Sequence, residues 1–368
     1  MAATVSTLTS NVTAPVNFVL MKGLLSAARK KLPFFNGSLP GSLEKSGGSM
    51  SVKWRRIENL TAATTALSEI TGTAAAFLGR NAVQPTITDV TKAIAKYGNA
   101  ILTTEEIDLF NVNSKAAQLM DTLGANAGES LNLLVESAIS ADVVAGMTRF
   151  ANGSAGGAAS VSTITREITL TDIKFMVNKL NRNSARVFTP VGYGSTNIGT
   201  SPVRSSYYGI CHVDVEEDIR GLSGFIPVEQ YGGYTETMPF EFGTVGGVRF
   251  CSTEIIPVST NVTSSSATGW LRGAQSSGGT NADVYTTYIY GKEAFGTVGL
   301  GNMHATSSYE MYDPKTPPAV ELIYHKPGSS GIYDMFNEMG SIAWKSWFAA
   351  KVLNTDWIGK IRSGSTNL

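Results

Sequence analysis

NSKAAQLMDTLGANAGESLNLLVESAISADVV, residues 113–144, places Ala116, Met120, Leu123, Ala127, Leu131, Leu134 and Ala138 at steps of three and four. That spacing predicts one long amphipathic helix, roughly 45–50 Å at 1.5 Å per residue. A helix so long, with one narrow apolar stripe, needs a sheet to lie on. The C-terminal part offers it. There Ile342, Trp344, Phe348, Ala350 and Val352 alternate with Ala343, Lys345, Trp347 and Lys351, which is the two-residue period of a strand. Asn354-Thr355-Asp356 reads as the turn into a last strand at 357–361.

Working outward, Val16, Val19, Leu20, Leu24 and Ala27 sit at helical spacing, with Arg29-Lys30-Lys31 in the last turn and Pro33 ending it. Residues 36–49 are rich in Gly, Ser and Pro and read as a connector. Segments 52–57 and 86–97 are two candidate strands around a long Ala/Thr/Gly-rich stretch, as in an extended hairpin with an elaborated tip. After the loop at 152–160, Thr171 is expected to cap a second helix with Ile173, Met176, Val177 and Leu180 on one face. Strands are expected at 207–211, near Val248–Thr253 and at 286–290. Helices and strands of this mixture define an α+β class.

The chain has 368 residues, of which only 16% are charged and 38 are glycine. Soluble domains usually carry about 25% charged residues and about 7% glycine. A large surface with few charges suits burial against neighbours. Lys and Arg number 29, as do Asp and Glu; zero net charge argues against a freely soluble monomer and against a dedicated nucleic-acid binder. Two cysteines, Cys211 and Cys251, exclude a disulfide-stapled scaffold and suit a reducing compartment. No apolar run reaches the ~18 residues of a membrane span, and the N-terminal stretch lacks the basic start of a signal peptide. The early helix leaves no room for a large removable N-terminal segment, so retention of Met1 is expected.

Charge is balanced globally but not locally. Residues 1–56 carry Lys22, Arg29, Lys30, Lys31, Lys45, Lys53, Arg55 and Arg56 against Glu44, a net of +7. Residues 101–142 carry Glu105, Glu106, Asp108, Asp121, Glu129, Glu136 and Asp142 against Lys115, a net of −6. The blocks read either as two solvated faces or as complementary surfaces on different copies of one chain.

Catalytic and metal chemistry find little purchase. His212, His304 and His325 show no zinc-type spacing, and Cys211-His212 has no CxxC partner. There is no GxSxG elbow and no Walker loop. The glycine-rich pieces at 243–247 and 296–301 lack phosphate-cradle spacing and read as turns. Asp214, Glu216, Glu217 and Asp218 read as an acidic helix start. No catalytic residue, cofactor or metal is expected. Trp54-Arg55-Arg56 could grip nucleic acid by stacking and phosphate contact. Alternation along 52–57 favours a strand whose Trp packs a neighbour and whose arginines pair with carboxylates.

VKWRRIENLTAATTALSEI (52–70) followed by ITDVTKAIAKYGNAILTTEEIDL (87–109) resembles the major capsid family of the phage N-four type, within the Hong Kong-type fold of tailed-phage shells. The resemblance continues in order through LTDIKFMVNKL (170–180), YGICHVDVEEDI (208–219), GTVGGVRFCSTE (243–254), YGKEAFGTVGL (290–300) and DMFNEMGSIAWKSWFAAKVLNTDWIGKI (334–361). Val213 stands where the family has proline, and 197–206 and 257–284 look like local insertions.

The resemblance implies an N-terminal arm at 1–40 and an extended loop at 41–100. A peripheral domain with a spine helix follows at 101–165, an axial domain at 166–314, and a return to the peripheral sheet at 315–368. It implies a major capsid protein that assembles with itself as hexamers and pentamers into an icosahedral head around double-stranded DNA. The DNA would meet the inner face non-specifically. Portal protein, and decoration or scaffolding proteins, would be further partners, with no membrane involved. The protein would reside in the virion, assembled in the host cytoplasm. Inter-subunit contacts are expected from Lys53, Trp54, Arg55 and Arg56 against Glu105, Glu106, Asp121, Glu129 and Glu136, without covalent crosslinks. The alternatives are an encapsulin-like nanocompartment shell and a β-rich hydrolase.

Overall fold

In the computed structural model, the residues described are 33–41, 50–58, 60–64, 83–106, 115–151, 161, 164–188, 206–231, 240–260, 271, 282–298, 320–325, 336 and 338–367. The helix expected at 16–31, the loop at 152–160 and most of the two insertions lie outside them.

Apolar alternation near the C-terminus becomes one 14-residue strand, Met339–Val352, with Ile342, Trp344, Ser346, Phe348, Ala350 and Val352 buried. In chain order the strands are β1 (Leu39–Gly41), β2 (Ser51–Ile57), β3 (Ile87–Ala93), β4 (Ala95–Thr104), β5 (Thr148–Phe150), β6 (Tyr207–His212), β7 (Ile226–Pro227), β8 (Glu241–Val245), β9 (Val248–Thr253), β10 (Tyr285–Tyr290), β11 (Phe295–Val298), β12 (Glu321–His325), β13 (Met339–Val352) and β14 (Ile358–Ser363). Among the described residues the helices are α1 (Lys115–Asp142), α2 (Leu170–Arg182) and the short α3 (Glu216–Arg220).

β13 organises the first sheet. It pairs antiparallel with β4 from Met339↔Thr104 to Phe348↔Ala95, with β12, and through its last four residues with β11, which in turn pairs parallel with β1. α1 lies on this five-stranded sheet. Its 28 residues span about 42 Å. Met120, Leu123, Ala127, Leu131, Val135 and Ile139 form the buried stripe. Beyond Leu131 the stripe runs one residue later than the expected Leu134 and Ala138, which are only partly buried. A 3.6-residue turn does not keep a fixed three–four step over seven turns. Asn126 Oδ1 accepts from Trp344 Nε1 at 3.1 Å, a polar tie across the helix–sheet contact.

The second sheet has seven strands in the order β5-β14-β10-β6-β9-β8-β7. β8 and β9 close through Gly246 and Gly247, with φ of 62° and 86°. Two successive positive φ values make the tight hairpin turn that glycine favours, so this glycine pair is a turn, as its spacing suggests. α2 packs on this sheet through Ile173, Met176 and Leu180. Its N-cap is Thr169, two residues before the expected Thr171. The Thr169 hydroxyl donates to Asp172 Oδ2 at 2.6 Å, so Asp172 fixes where the helix begins. Phe34 and Phe35 join the sheets. Phe34 meets Tyr288 edge-on, Phe35 meets Phe348, and the Phe34 amide donates to Asn132 on α1.

The chain crosses between the sheets once more than the sequence suggested, and returns earlier. β11 lies in the α1 sheet although β10 belongs to the other, and β14 pairs with β10 rather than returning beside β13. A division at 314/315 therefore does not separate the two sheets. Likewise the strand expected at 86–97 is two strands, broken at the buried Ile94. The hairpin ends at Ala93, and β4 is already part of the α1 sheet. Alternation reveals that a segment is extended; it carries no record of which sheet receives it.

Candidate assembly surface

Among the described residues β2 and β3 pair only with each other, in register from Ser51↔Ala93 to Ile57↔Ile87. The pleat sorts their side chains. Val52, Trp54 and Arg56 are half-buried toward the body, while Lys53, Arg55, Ile57, Ile87 and Asp89 face outward. On the outer face Lys53 Nζ lies 2.6 Å from Asp89 Oδ2 and Arg55 Nε 3.0 Å from Asp89 Oδ1. Hydrogen bonds from Arg55 and then Lys53 hold the Asp89 carboxyl below the usual carboxylate range. On the inner face Arg56 binds Glu58 through Nε (2.9 Å) and Nη2 (2.5 Å), and its Nη1 donates to the Leu353 carbonyl at 3.0 Å. The hydrogen bond from Arg56 is the main reason that Glu58 also titrates low.

The four basic-segment residues thus divide. Lys53 and Arg55 present cationic heads outward, with one carboxylate between them. Trp54 and Arg56 are turned toward their own subunit, Trp54 onto Ile94, Val298 and Ala349 and Arg56 onto Glu58 and the Leu353 carbonyl, with a third of the Arg56 side chain left exposed. The sequence reading of a strand with a packed Trp and paired arginines describes this segment, with Asp89 and Glu58 as the partners. Neither acid belongs to the 101–142 block. Strand alternation alone could not find Asp89, because the register depends on a long intervening stretch.

Glu105 and Glu106 are exposed at the end of β4. Beside them Leu102 and Met339 are exposed large apolar residues on the sheet face turned away from α1, since Leu102 pairs with Ser341 while its neighbour Ile101 pairs with the buried Ile342. Asp121 and Glu129 are exposed on α1 itself, the other side of the layer. The five acids are not one surface.

Glu136 is not on the surface at all. It is buried under the seven-stranded sheet, where Tyr288 donates to its Oε1 at 2.5 Å and Lys360 Nζ donates to the Ser140 carbonyl one turn on. It cannot contact a neighbour. The narrow apolar stripe of α1 turns over it because this end of the helix meets the second sheet. Burial pushes the Glu136 carboxyl above the ordinary range, opposed by Tyr288, Lys360 and Arg362. A raised folded-state value means the native chain holds a proton that the unfolded chain has released. Stability is therefore lost as pH rises through that window. Glu136→Gln keeps an acceptor for Tyr288 without the buried charge. It should raise the unfolding midpoint at pH 7.5 and leave it unchanged at pH 4 in urea titrations of the subunit. Glu136→Ala, which removes that acceptor, should cost about 1–3 kcal/mol.

Ile57, Leu60, Val83 and Ile87 are each at least half exposed along the outer part of the hairpin. A run of large apolar side chains in water is the usual mark of a protein contact. Composition gave no hint of it, because these residues look like ordinary strand formers.

The fold is that of capsid subunits. The capsid of Ralstonia phage GP4 superposes with a TM-score of 0.63 at 9% identity over 92% of both chains. The cyanophage Pam1 capsid gives 0.55 at 12% identity, over 90% of this chain and 89% of that one. The Helicobacter pylori bacteriophage KHP30 capsid gives 0.53 at 9% over 91% of each. At these identities the likeness is one of fold. No curated protein matches significantly in sequence. The family described as phage capsid protein matches residues 87–363, and the chain belongs to that family. It is a major capsid protein, a structural component of the virion shell rather than an enzyme.

Proposed function

We propose that this subunit builds a closed head of hexamers and pentamers around packaged double-stranded DNA, by laying its β2–β3 hairpin on the next copy. In that reading β2–β3 is the extended loop, α1 the spine helix of a peripheral layer, and the seven-stranded sheet the axial domain. The order of motifs from 52 to 361 supports placement in the N-four-type branch. Portal, scaffolding or decoration proteins would join at later surfaces.

One observation carries the proposal. The outer face of the hairpin combines exposed Ile57 and Ile87 with the cations Lys53 and Arg55, and the free end of β4 combines exposed Leu102 and Met339 with the anions Glu105 and Glu106. Each patch is apolar with one sign of charge, and the signs are opposite. Complementary potentials of this kind set register and suppress wrong partners more than they add raw affinity. Asp121 and Glu129, on the other side of the layer, would face a different neighbour.

Lys53→Glu/Arg55→Glu should leave a folded subunit that no longer forms shells, and adding Glu105→Lys/Glu106→Lys should restore them. Arg56 is best left alone, because it ties the hairpin to its own subunit. If the hairpin cations instead held DNA, the first pair of changes would give normal shells that fail only to retain a genome. Normal shells at normal yield would rule the contact out.

A further inference from the structure

The hairpin is held to its subunit by the inward face of β2, by contacts of β3 with β13 and by the passage of the chain from Ala93 into β4. Val52 and Trp54 pack on a small apolar cluster of Ile94, Val298 and Ala349 that is separate from the main core, and Arg56 reaches the Leu353 carbonyl. The seat under Trp54 is made of glycine. A Cβ placed on Gly296, in the middle of β11, would lie 2.8 Å from Trp54 Cε2, 2.9 Å from Cζ2 and 3.0 Å from Nε1, its three nearest atoms. One placed on Gly41, on the adjacent β1, would lie 2.9 Å from Val298 Cγ2 and 3.3 Å from Trp54 Cζ2.

Glycine inside a strand weakens it and often marks the close approach of another group. Here that group is the indole. The indole Nε1 is buried and bonds to no group among the described residues, so the ring is held by shape rather than by a hydrogen bond. This also gives a reason for the glycine in the YGKEAFGTVGL segment, which has no part in a turn or a phosphate site.

We propose that Gly296 and Gly41 form a socket that fixes, through Trp54, the direction in which the hairpin leaves its subunit. Trp54 and Gly296 are then positioning residues for assembly. They touch no neighbour, but they aim the face that does. The inference rests on the reading that the hairpin makes the contact with the next copy, and its test separates the two.

Spin labels at Gln84→Cys on the hairpin and Ser137→Cys on α1 report the aim directly in the full-length subunit, kept below its assembly concentration. Both positions are exposed, and the native Cys211 and Cys251 are buried. The parent should give one narrow distance. Gly296→Ala should lose it, and Gly296→Ala with Trp54→Leu should regain it, because leucine ends short of the Cε2, Cζ2 and Nε1 positions that meet the new methyl. Shell yield should fall and recover in parallel. An unchanged distance in Gly296→Ala overturns the socket, as does a double variant no better than the single one, which would assign the effect to strand β11 itself. Should Gly296→Ala fail to fold, Trp54→Ala removes the ring and leaves β11 intact. It must also lose the narrow distance, and keeping it overturns the proposal. A distance lost and regained with normal shell yield throughout supports the socket and removes only the neighbour-contact reading.

Discussion

Asp172→Ala should destabilise the subunit by about 3–5 kcal/mol, measured as the shift in its urea unfolding curve. Asp172 is fully buried in the first turn of α2, and so is nearly all of its partner. Its Oδ1 accepts from Arg149 Nε at 2.8 Å; its Oδ2 accepts from the Thr169 hydroxyl and, at 3.4 Å, from Arg166 Nη2. Arg149 comes from the edge strand β5 and stacks on Phe175 with its Cζ 4.7 Å from the ring centroid. Removing the carboxylate leaves a desolvated guanidinium without that counter-charge, which is why breaking a buried pair costs far more than a surface pair contributes. The helix start should loosen as well, since Thr169 loses its acceptor. Asp172→Asn, which keeps the shape and an acceptor, should fall between parent and alanine. A shift below 1 kcal/mol in Asp172→Ala would mean that another group already neutralises Arg149.

The largest effect on assembly should come from Ile57→Asp with Ile87→Asp. The two residues are directly opposed in the hairpin register and are 65% and 50% exposed in the single subunit. Burying an isoleucine fully is worth about 1.5–3 kcal/mol, and about half of each side chain remains to be covered. In a closed lattice every copy repeats the contact, so a small deficit per subunit is multiplied over the shell. Two aspartates would desolvate charge instead of hydrocarbon and would face Glu105 and Glu106 with like sign. The subunit itself should be unharmed, because neither side chain takes part in its core. Light scattering across a concentration series should show no shells at concentrations where the parent assembles completely, with circular dichroism unchanged. Assembly at the parent's threshold would place the hairpin tip outside the interface.

Much of the fold was legible because long elements announce themselves. α1 and β13 were both visible in periodicity, and the ordered motifs from 52 to 361 indicated the capsid family. What could not be read were relations between elements. The sequence places β14 as a last strand and reads the glycine-rich half of β11 as a turn, while the exchange of both between sheets is decided by the turns at 291–294 and 353–357, with Glu293 in the first at a positive φ of 63°. Charge blocks are countable in the sequence, but the partners that the cations take inside their own subunit are not. Arg55 finds Asp89 and Arg56 finds Glu58 across and along a hairpin whose register the sequence does not state. Glu136 looked like one more surface acid because the helix pattern was extrapolated at a fixed step. The slip of the buried stripe from Leu134 to Val135 carries it inward to Tyr288. Gly296 was read as part of a turn, and only the position of Trp54 shows why a side chain is excluded there.

Electron cryomicroscopy of particles formed by the purified chain tests the account most directly. It should show a closed icosahedral shell of hexamers and pentamers, with the β2–β3 hairpin of each copy lying over a neighbour's β4 end, Lys53 and Arg55 against Glu105 and Glu106, and Ile57 and Ile87 covered. Closed shells in which the hairpin touches only its own subunit would contradict the proposed contact, and failure to form closed shells at all would contradict the proposed self-assembly.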